Sequence, residues 1–287
     1  MLNNTMVKDD LLFEDEDITK EWFLMSSPIP VLIILIAYLG FVLKIGPEFM
    51  RERSPYNLKK ILVVYNIIQV LISAFVCYIT TDHILQNGLI TRQQHCLTES
   101  KEFKIKTASI IYYYFLAKLS ELLDTIFFIL RKRDRQVSFL HVYHHTFTVG
   151  FSWCTARFEP MYIFIFIGAI NSFIHIIMYA YYGLAAFPNL TKYLWWKKYI
   201  TKMQLIQFFL MIIHLISSHV SSSCRSSNIW VFALVANNLL FVYLFSNFYV
   251  KEYLKRRLPE ETDHKSISDV TITNDLSHHK MDKIKST

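Results

Sequence analysis

The feature that most constrains this chain is a set of apolar runs long enough to cross a bilayer. A helix needs roughly 20 mostly apolar residues to do so, because each residue advances it by only about 1.5 Å. Seven runs qualify, at about 28–44, 61–80, 109–130, 139–156, 161–183, 202–219 and 229–250. The first opens with Pro28 and Pro30, which suit a helix start. The third and fourth are weaker, since they hold Lys118, Glu121, Asp124 and several histidines. They are kept because these polar residues fall on single helix faces, as a bundle interior requires. Composition agrees: only 18% of the residues are charged, against about a quarter in soluble domains. The expected fold is an all-α integral membrane protein with seven transmembrane helices. Its membrane domain covers 28–250, between an N-terminal segment, 1–27, and a polar tail, 251–287.

Charge orients this bundle. The net charge is +7, but the basic residues sit in short clusters beside the apolar runs. That placement reads as topology information and not as a nucleic-acid surface. Arg51, Arg53, Lys59 and Lys60 follow the first span, and Arg131, Lys132, Arg133 and Arg135 the third. Lys192, Lys197 and Lys198 follow the fifth, and Lys251, Lys255, Arg256 and Arg257 the seventh. The positive-inside rule makes these loops cytosolic, with the N-terminus luminal and the C-terminus cytosolic. The acidic N-terminus lacks the basic region of a cleavable signal peptide. Asn3 opens an Asn-x-Thr glycosylation sequon on the luminal side. Cys96 and Cys224 fall in luminal loops, as a disulfide or as two free thiols.

Ionisable residues inside a bilayer cost about 2.5–3.5 kcal/mol each at mid-span, so their placement carries meaning. His141, His144 and His145 stand at i, i+3 and i+4 in the first turns of the fourth span. Lys118, Glu121, Asp124 and Thr125 form a stripe on the third. Asn171, His175, Met178, Tyr179 and Tyr182 form one on the fifth, and Thr201, Gln204 and Gln207 one on the sixth. All four sets fall in the cytosolic half of the bundle. Convergent polar groups at one depth mark a binding or catalytic site. Neutral imidazoles can act as general bases or acyl-accepting nucleophiles, and a flanking carboxylate can fix their tautomer. Arginines and lysines at the mouth, Arg131 and Arg133 among them, suit a phosphate-bearing substrate. The apolar remainder suits a long hydrocarbon tail. That tunnel should end among the luminal halves of the sixth and seventh spans.

Two other readings stay open on the residues alone. A di-iron desaturase or hydroxylase also uses an HxxHH box, but needs more histidine ligands. Here His83 and His95 are expected in a luminal loop, and His214 and His219 toward the luminal end of the sixth span. A seven-span receptor or channel fits the span count but leaves the histidine cluster without a role.

The four motifs taken in series carry a resemblance. They are Lys118-xx-Glu121-xx-Asp124-Thr125, Gln136-xxx-Leu140-His141-x-Tyr143-His144-His145, Asn171-xxx-His175-xx-Met178-Tyr179-x-Tyr181-Tyr182, and Thr201-xx-Gln204-xx-Gln207. In order and spacing they resemble the ELO family, the elongases of very-long-chain fatty acids. The resemblance implies condensation of a long-chain acyl-CoA with malonyl-CoA, giving a 3-oxoacyl-CoA, CO2 and CoA. It implies a seven-helix protein of the endoplasmic reticulum membrane, a homodimer, working beside a ketoacyl reductase, a dehydratase and an enoyl reductase. The CoA thioesters are its substrates, and no bound cofactor or metal is expected. His144 is then the acyl-accepting residue, with His141 and His145 completing the pocket. His175 positions malonyl-CoA or assists its decarboxylation, and Asp124 and Glu121 orient the histidines. Lys118, Asn171, Tyr179, Tyr182, Gln204, Gln207, Arg131 and Arg133 bind substrate. Lys283 and Lys285, third and fifth from the C-terminus, resemble a dilysine retrieval signal.

Overall fold

A computed structural model describes residues 19–89, 101–221 and 228–254, and among these the regular structure is entirely helical. Asn3, Cys96, Cys224, Lys283 and Lys285 lie outside the described residues. The main helices are α1 (Ile29–Met50), α2 (Lys59–Asn87), α3 (Lys101–Ser120) and α4 (Leu122–Leu130). They are followed by α5 (Phe139–Phe158), α6 (Ile165–Ala185), α7 (Lys197–Ser221) and α8 (Asn228–Tyr249). Among the described residues five helices are long and apolar enough to cross a membrane: α1, α2, α6 with its preceding turn, α7, and α8 continued to Leu254. Neither α3 nor α5 is among them, because these two helices carry the ionisable residues.

The chain packs as two units, Met1–Tyr243 and Leu244–Thr287. In the first, α2 lies along α6, α3 packs on α5, and α7 packs on α6. Phe115, Val149, Ala156, Ile165 and Leu215 are buried at its centre. Outward faces are apolar: Val64, Ile67, Leu71 and Phe75 on α2, and Ile206, Phe209 and Ile213 on α7, are all exposed. Such faces would drive aggregation in water and are stable against hydrocarbon. In the second unit the ring of Tyr253 lies 5.2 Å from that of Tyr249 and 6.3 Å from that of Phe248.

Side-chain contacts define the two ends of the first unit. At one end Tyr56 N–H donates to the Leu130 carbonyl (3.0 Å), and Lys132 Nζ donates to the Arg51 carbonyl (3.2 Å). Lys59 stands 5.2 Å from the Phe187 ring there. At the other end the Tyr162 hydroxyl donates to the Gly88 carbonyl (2.6 Å), and Trp153 Nε1 donates to the Leu24 carbonyl (2.8 Å). His83 belongs to this second end. It sits inside α2 and not in a loop, buried, with Nε2 3.0 Å from Thr107 Oγ1. Falling hydropathy after residue 80 marked the edge of an apolar run, and the helix continues beyond it.

Two irregularities shape the interior. Residues Phe41–Ile45 of α1 form a π turn just ahead of Pro47. Proline lacks an N–H and its ring presses on the carbonyl four residues back, so a widened turn relieves the clash. Between them a Cβ on Gly46 would lie 2.9 Å from the Phe41 carbonyl oxygen and 3.0 Å from an Ile129 methyl. At this point the close approach of α1 to α4 depends on the glycine. The second irregularity is the break at Glu121 between α3 and α4. Asp124 N–H donates to the Glu121 carbonyl (3.1 Å), three residues back, instead of to Ser120. The Ser120 carbonyl accepts from the Tyr65 hydroxyl of α2 (3.3 Å), and Gln69 Nε2 donates to Ser120 Oγ (3.0 Å). Side chains inserted into the backbone ladder are a recognised cause of helix breaks.

Candidate active site

The break delivers Glu121 to the interior. Lys118, one turn earlier on α3, donates from Nζ to Glu121 Oε1 at 2.8 Å. His175 of α6 brings Nδ1 to 2.9 Å from the same oxygen. Lys118 and Glu121 are only 2% and 1% exposed, so neither charge is stable without the other. A carboxylate oxygen accepts only, so His175 Nδ1 carries the hydrogen. The 3.4 Å approach of Lys118 Nζ to that nitrogen is then two donors flanking one acceptor. In the neutral ring Nε2 of His175 keeps its lone pair, ready to act as a base. Glu121 Oε2, His145 Nδ1 and Gln207 Oε1 are buried polar atoms without a partner among the described residues. Each such atom costs about 1–3 kcal/mol unless it meets a ligand.

The neighbouring residues pair in ways their spacing did not reveal. Asp124, expected to orient a histidine, accepts from the buried Tyr179 hydroxyl through Oδ2 at 2.6 Å. Thr125 Oγ1 lies 2.9 Å from His141 Nε2 and 2.7 Å from the Tyr38 hydroxyl of α1. The histidine box begins at an N-cap, where Ser138 Oγ accepts from His141 N–H (3.3 Å). His141 and His145, one turn apart, pack with ring centroids 4.3 Å apart and planes tilted by 58°. His144 lies edge-on to His145 at 5.3 Å but turns toward Phe241 (5.1 Å) and an internal cavity. The single face expected for three histidines therefore divides, because i+3 and i+4 lie on either side of the stripe.

At the level of His144 the cavity is bordered by Tyr114, Asn171 and Asn237. The Tyr114 hydroxyl donates to Asn171 Oδ1 (3.1 Å), and the Tyr143 hydroxyl donates to Asn237 Oδ1 (3.0 Å). Beyond them the lining is Ile110, Ile111, Phe147, Phe151, Phe164, Ile165, Phe208, Met211 and Leu234. Hydroxyls occur in this wall but bond back to their own helices. Thr148 donates to the His144 carbonyl (2.8 Å), Ser152 to that of Val149 (3.1 Å), and Thr80 to that of Val76 (2.7 Å). Thr155 donates likewise to the Ser152 carbonyl (3.0 Å) and Asn238 to that of Leu234 (2.8 Å), so the donors of these wall side chains are engaged within their own helices. The cavity walls come from α2, α3, α5 and α6 as well as from α7 and α8.

The other anticipated residues are more dispersed. Gln204 Nε2 lies 3.8 Å from Met178 Sδ, and Thr201 is buried nearby on the same helix. Tyr182 is exposed while Tyr179 is fully buried. Arg131 and Arg133 follow α4 at the end that carries Lys132 and Arg51. Partial burial and the charge of Arg133 pull the Arg131 guanidinium below its ordinary value, without neutralising it. Sequence reasoning missed Tyr38, Tyr65, Tyr114 and Asn237. Tyr114 stands one turn before Lys118 on α3, and that spacing was a usable signal. Tyr38 is a single polar tip in an otherwise apolar run and gave none. Among the described residues no group of three or more His, Cys, Asp and Glu side chains is arranged to hold a metal ion.

These features define a multi-pass membrane protein whose helices enclose a histidine–carboxylate centre beside an apolar cavity. The ELO family model, described as the GNS1/SUR4 family, matches residues 23–261, and the chain belongs to that family. It is 40% identical over 239 residues to very long chain fatty acid elongase 7 of Drosophila melanogaster, covering 83% of this chain and 73% of that one. It is 37% identical over 261 residues to very long chain fatty acid elongase 2 of Mus musculus, covering 90% and 88%. With very long chain fatty acid elongase 5 of Homo sapiens the identity is 37% over 246 residues, covering 85% and 81%.

Proposed function

We propose that this protein is a fatty acid elongase that condenses a long-chain acyl-CoA with malonyl-CoA. The observation that carries this reading is the position of His144, at the polar level of an otherwise apolar cavity. The names of the relatives, all very long chain fatty acid elongases, support it. A neutral imidazole of His144 attacks the thioester carbonyl. The carbon–sulfur bond breaks, and CoA leaves as the thiol with the ring proton. The acyl group, now on nitrogen, keeps its tail in the cavity. Malonyl-CoA then loses CO2, and the resulting carbanion attacks the acyl carbon. Cleavage of the carbon–nitrogen bond releases a 3-oxoacyl-CoA two carbons longer, and His144 regains a proton.

His175, held by Glu121, faces the malonyl group with Nε2. Asn171, Gln204 and Gln207 supply amides to the thioesters, and Arg131 and Arg133 attract the CoA phosphates. The protein works as a seven-span homodimer in the endoplasmic reticulum membrane. Its N-terminus is luminal, its basic end cytosolic, and Lys283 and Lys285 form a retrieval signal. The reductases and the dehydratase of the cycle consume its product. The test is mass spectrometry of the purified protein incubated with acyl-CoA alone. Acyl is expected on His144. Turnover without any covalent adduct would replace the two-stage scheme with direct condensation. Stoichiometric iron with oxygen-dependent activity would sink the elongase reading itself.

A further inference from the structure

Two hydroxyls connect α1 to the histidine box. Tyr38 is 5% exposed and Thr125 is fully buried. The Tyr38 hydroxyl and Thr125 Oγ1 are 2.7 Å apart, and Thr125 Oγ1 and His141 Nε2 are 2.9 Å apart. Each hydroxyl has one hydrogen and two acceptor lone pairs. If His141 Nε2–H donated to Thr125, Thr125 would either donate to Tyr38 or accept from it as well. One hydroxyl hydrogen, that of Tyr38 in the first case and that of Thr125 in the second, would then have no acceptor among these three groups. In the opposite sense Tyr38 donates to Thr125, Thr125 donates to His141 Nε2, and both hydrogens are used. Orphaned buried donors are rarer than spare acceptor lone pairs, so this second sense is favoured.

We infer that Tyr38 is a positioning residue for the proposed reaction: through Thr125 it holds His141 in the tautomer with hydrogen on Nδ1 and fixes its ring. The His141 ring lies 4.3 Å from that of His145, tilted by 58°, and His145 lies edge-on to His144 at 5.3 Å. A ring locked at one end of this row of contacting rings limits where the acyl-accepting imidazole can stand. Site residues displaced by even an ångström lose rate steeply, so a remote hydroxyl has leverage. α1, apolar from Ile29 to Leu43 but for Tyr38, is thereby part of the apparatus that positions the site.

This inference rests on the elongase reading for its kinetic consequence but not for its geometric one. The test combines Tyr38→Phe, Thr125→Val and Thr125→Ser in the full-length protein, with ring nitrogens labelled in histidine. By ¹⁵N NMR the wild type should show His141 Nε2 as an unprotonated acceptor. In Tyr38→Phe and Thr125→Val that signal should shift toward a mixture of tautomers, and in Thr125→Ser it should persist. With acyl-CoA and malonyl-CoA, Tyr38→Phe should lose about threefold to tenfold in kcat, in line with one hydrogen bond of about 0.5–1.5 kcal/mol. The KM for acyl-CoA should stay at the wild-type value, and Thr125→Ser should retain activity. An unchanged His141 signal in Tyr38→Phe and Thr125→Val overturns the inference. So does a Tyr38→Phe enzyme with wild-type kcat. A tautomer shift in a protein with no elongase activity of any kind would instead retain the geometry and reject the functional reading.

Discussion

Glu121 ties α3 to α6 at the centre, since one carboxylate oxygen receives both Lys118 (2.8 Å) and His175 (2.9 Å). Removing one partner of a buried ion pair costs about 3–5 kcal/mol, whereas replacing both is often neutral. Glu121→Gln should therefore lower the thermal stability of the detergent-solubilised protein markedly. Combining it with Lys118→Met should restore most of that loss, while condensing activity stays absent in both variants. Recovery of activity in the double variant would show that the pair only supports the fold. The spacing of Lys118, Glu121 and Asp124 made this stripe legible in the sequence. It did not distinguish the two carboxylates, because i, i+3 neighbours share a stripe whatever stands opposite. Glu121 meets a histidine and Asp124 meets the Tyr179 hydroxyl only because of how α6 is rotated against α3 and α4.

Among the helices, the break between α3 and α4 is the element that makes the site. It depends on the Tyr65 hydroxyl holding the Ser120 carbonyl at 3.3 Å and on Gln69 holding the Ser120 hydroxyl. Tyr65→Phe frees that carbonyl to re-form a regular turn. About 1 kcal/mol of stability should be lost, the usual net worth of one hydrogen bond. Single-turnover condensation should slow by more than this melt predicts, because Glu121 rotates with the turn. A matching small decrease in both measurements would mean that the break is incidental. The sequence does not announce it: Ser120 and Glu121 are tolerated in any helix, and the partner hydroxyl lies on α2. The π turn in α1 is more nearly visible, because Pro47 demands relief at that point in any context.

At the scale of the whole molecule, the cavity and the lipid-facing surface divide the apolar residues between two uses. Phe147, Phe151 and Leu234 line the cavity, and Val64, Ile67 and Phe75 face outward. Ser152 lies in the cavity wall and is buried. Ser152→Phe should occupy space that a long acyl tail needs, at about 0.8 kcal/mol for each methylene displaced. Cells fed acyl chains of graded length should lose the longest products first while shorter substrates are still extended. A proportional loss at every length would place the tail elsewhere. The sequence by itself determined that the chain is helical and membrane-embedded, and that four polar stripes with a histidine box lie in its interior. Hydropathy and the 3.6-residue period are properties of one segment and can be read along it. Only the tertiary structure decided the partners. It set His175 on Glu121, Tyr179 on Asp124 and Tyr38 on Thr125, and it turned His144 alone into the cavity. Those pairings depend on the rotation and depth of one helix against another, which packing between segments fixes and no single segment encodes.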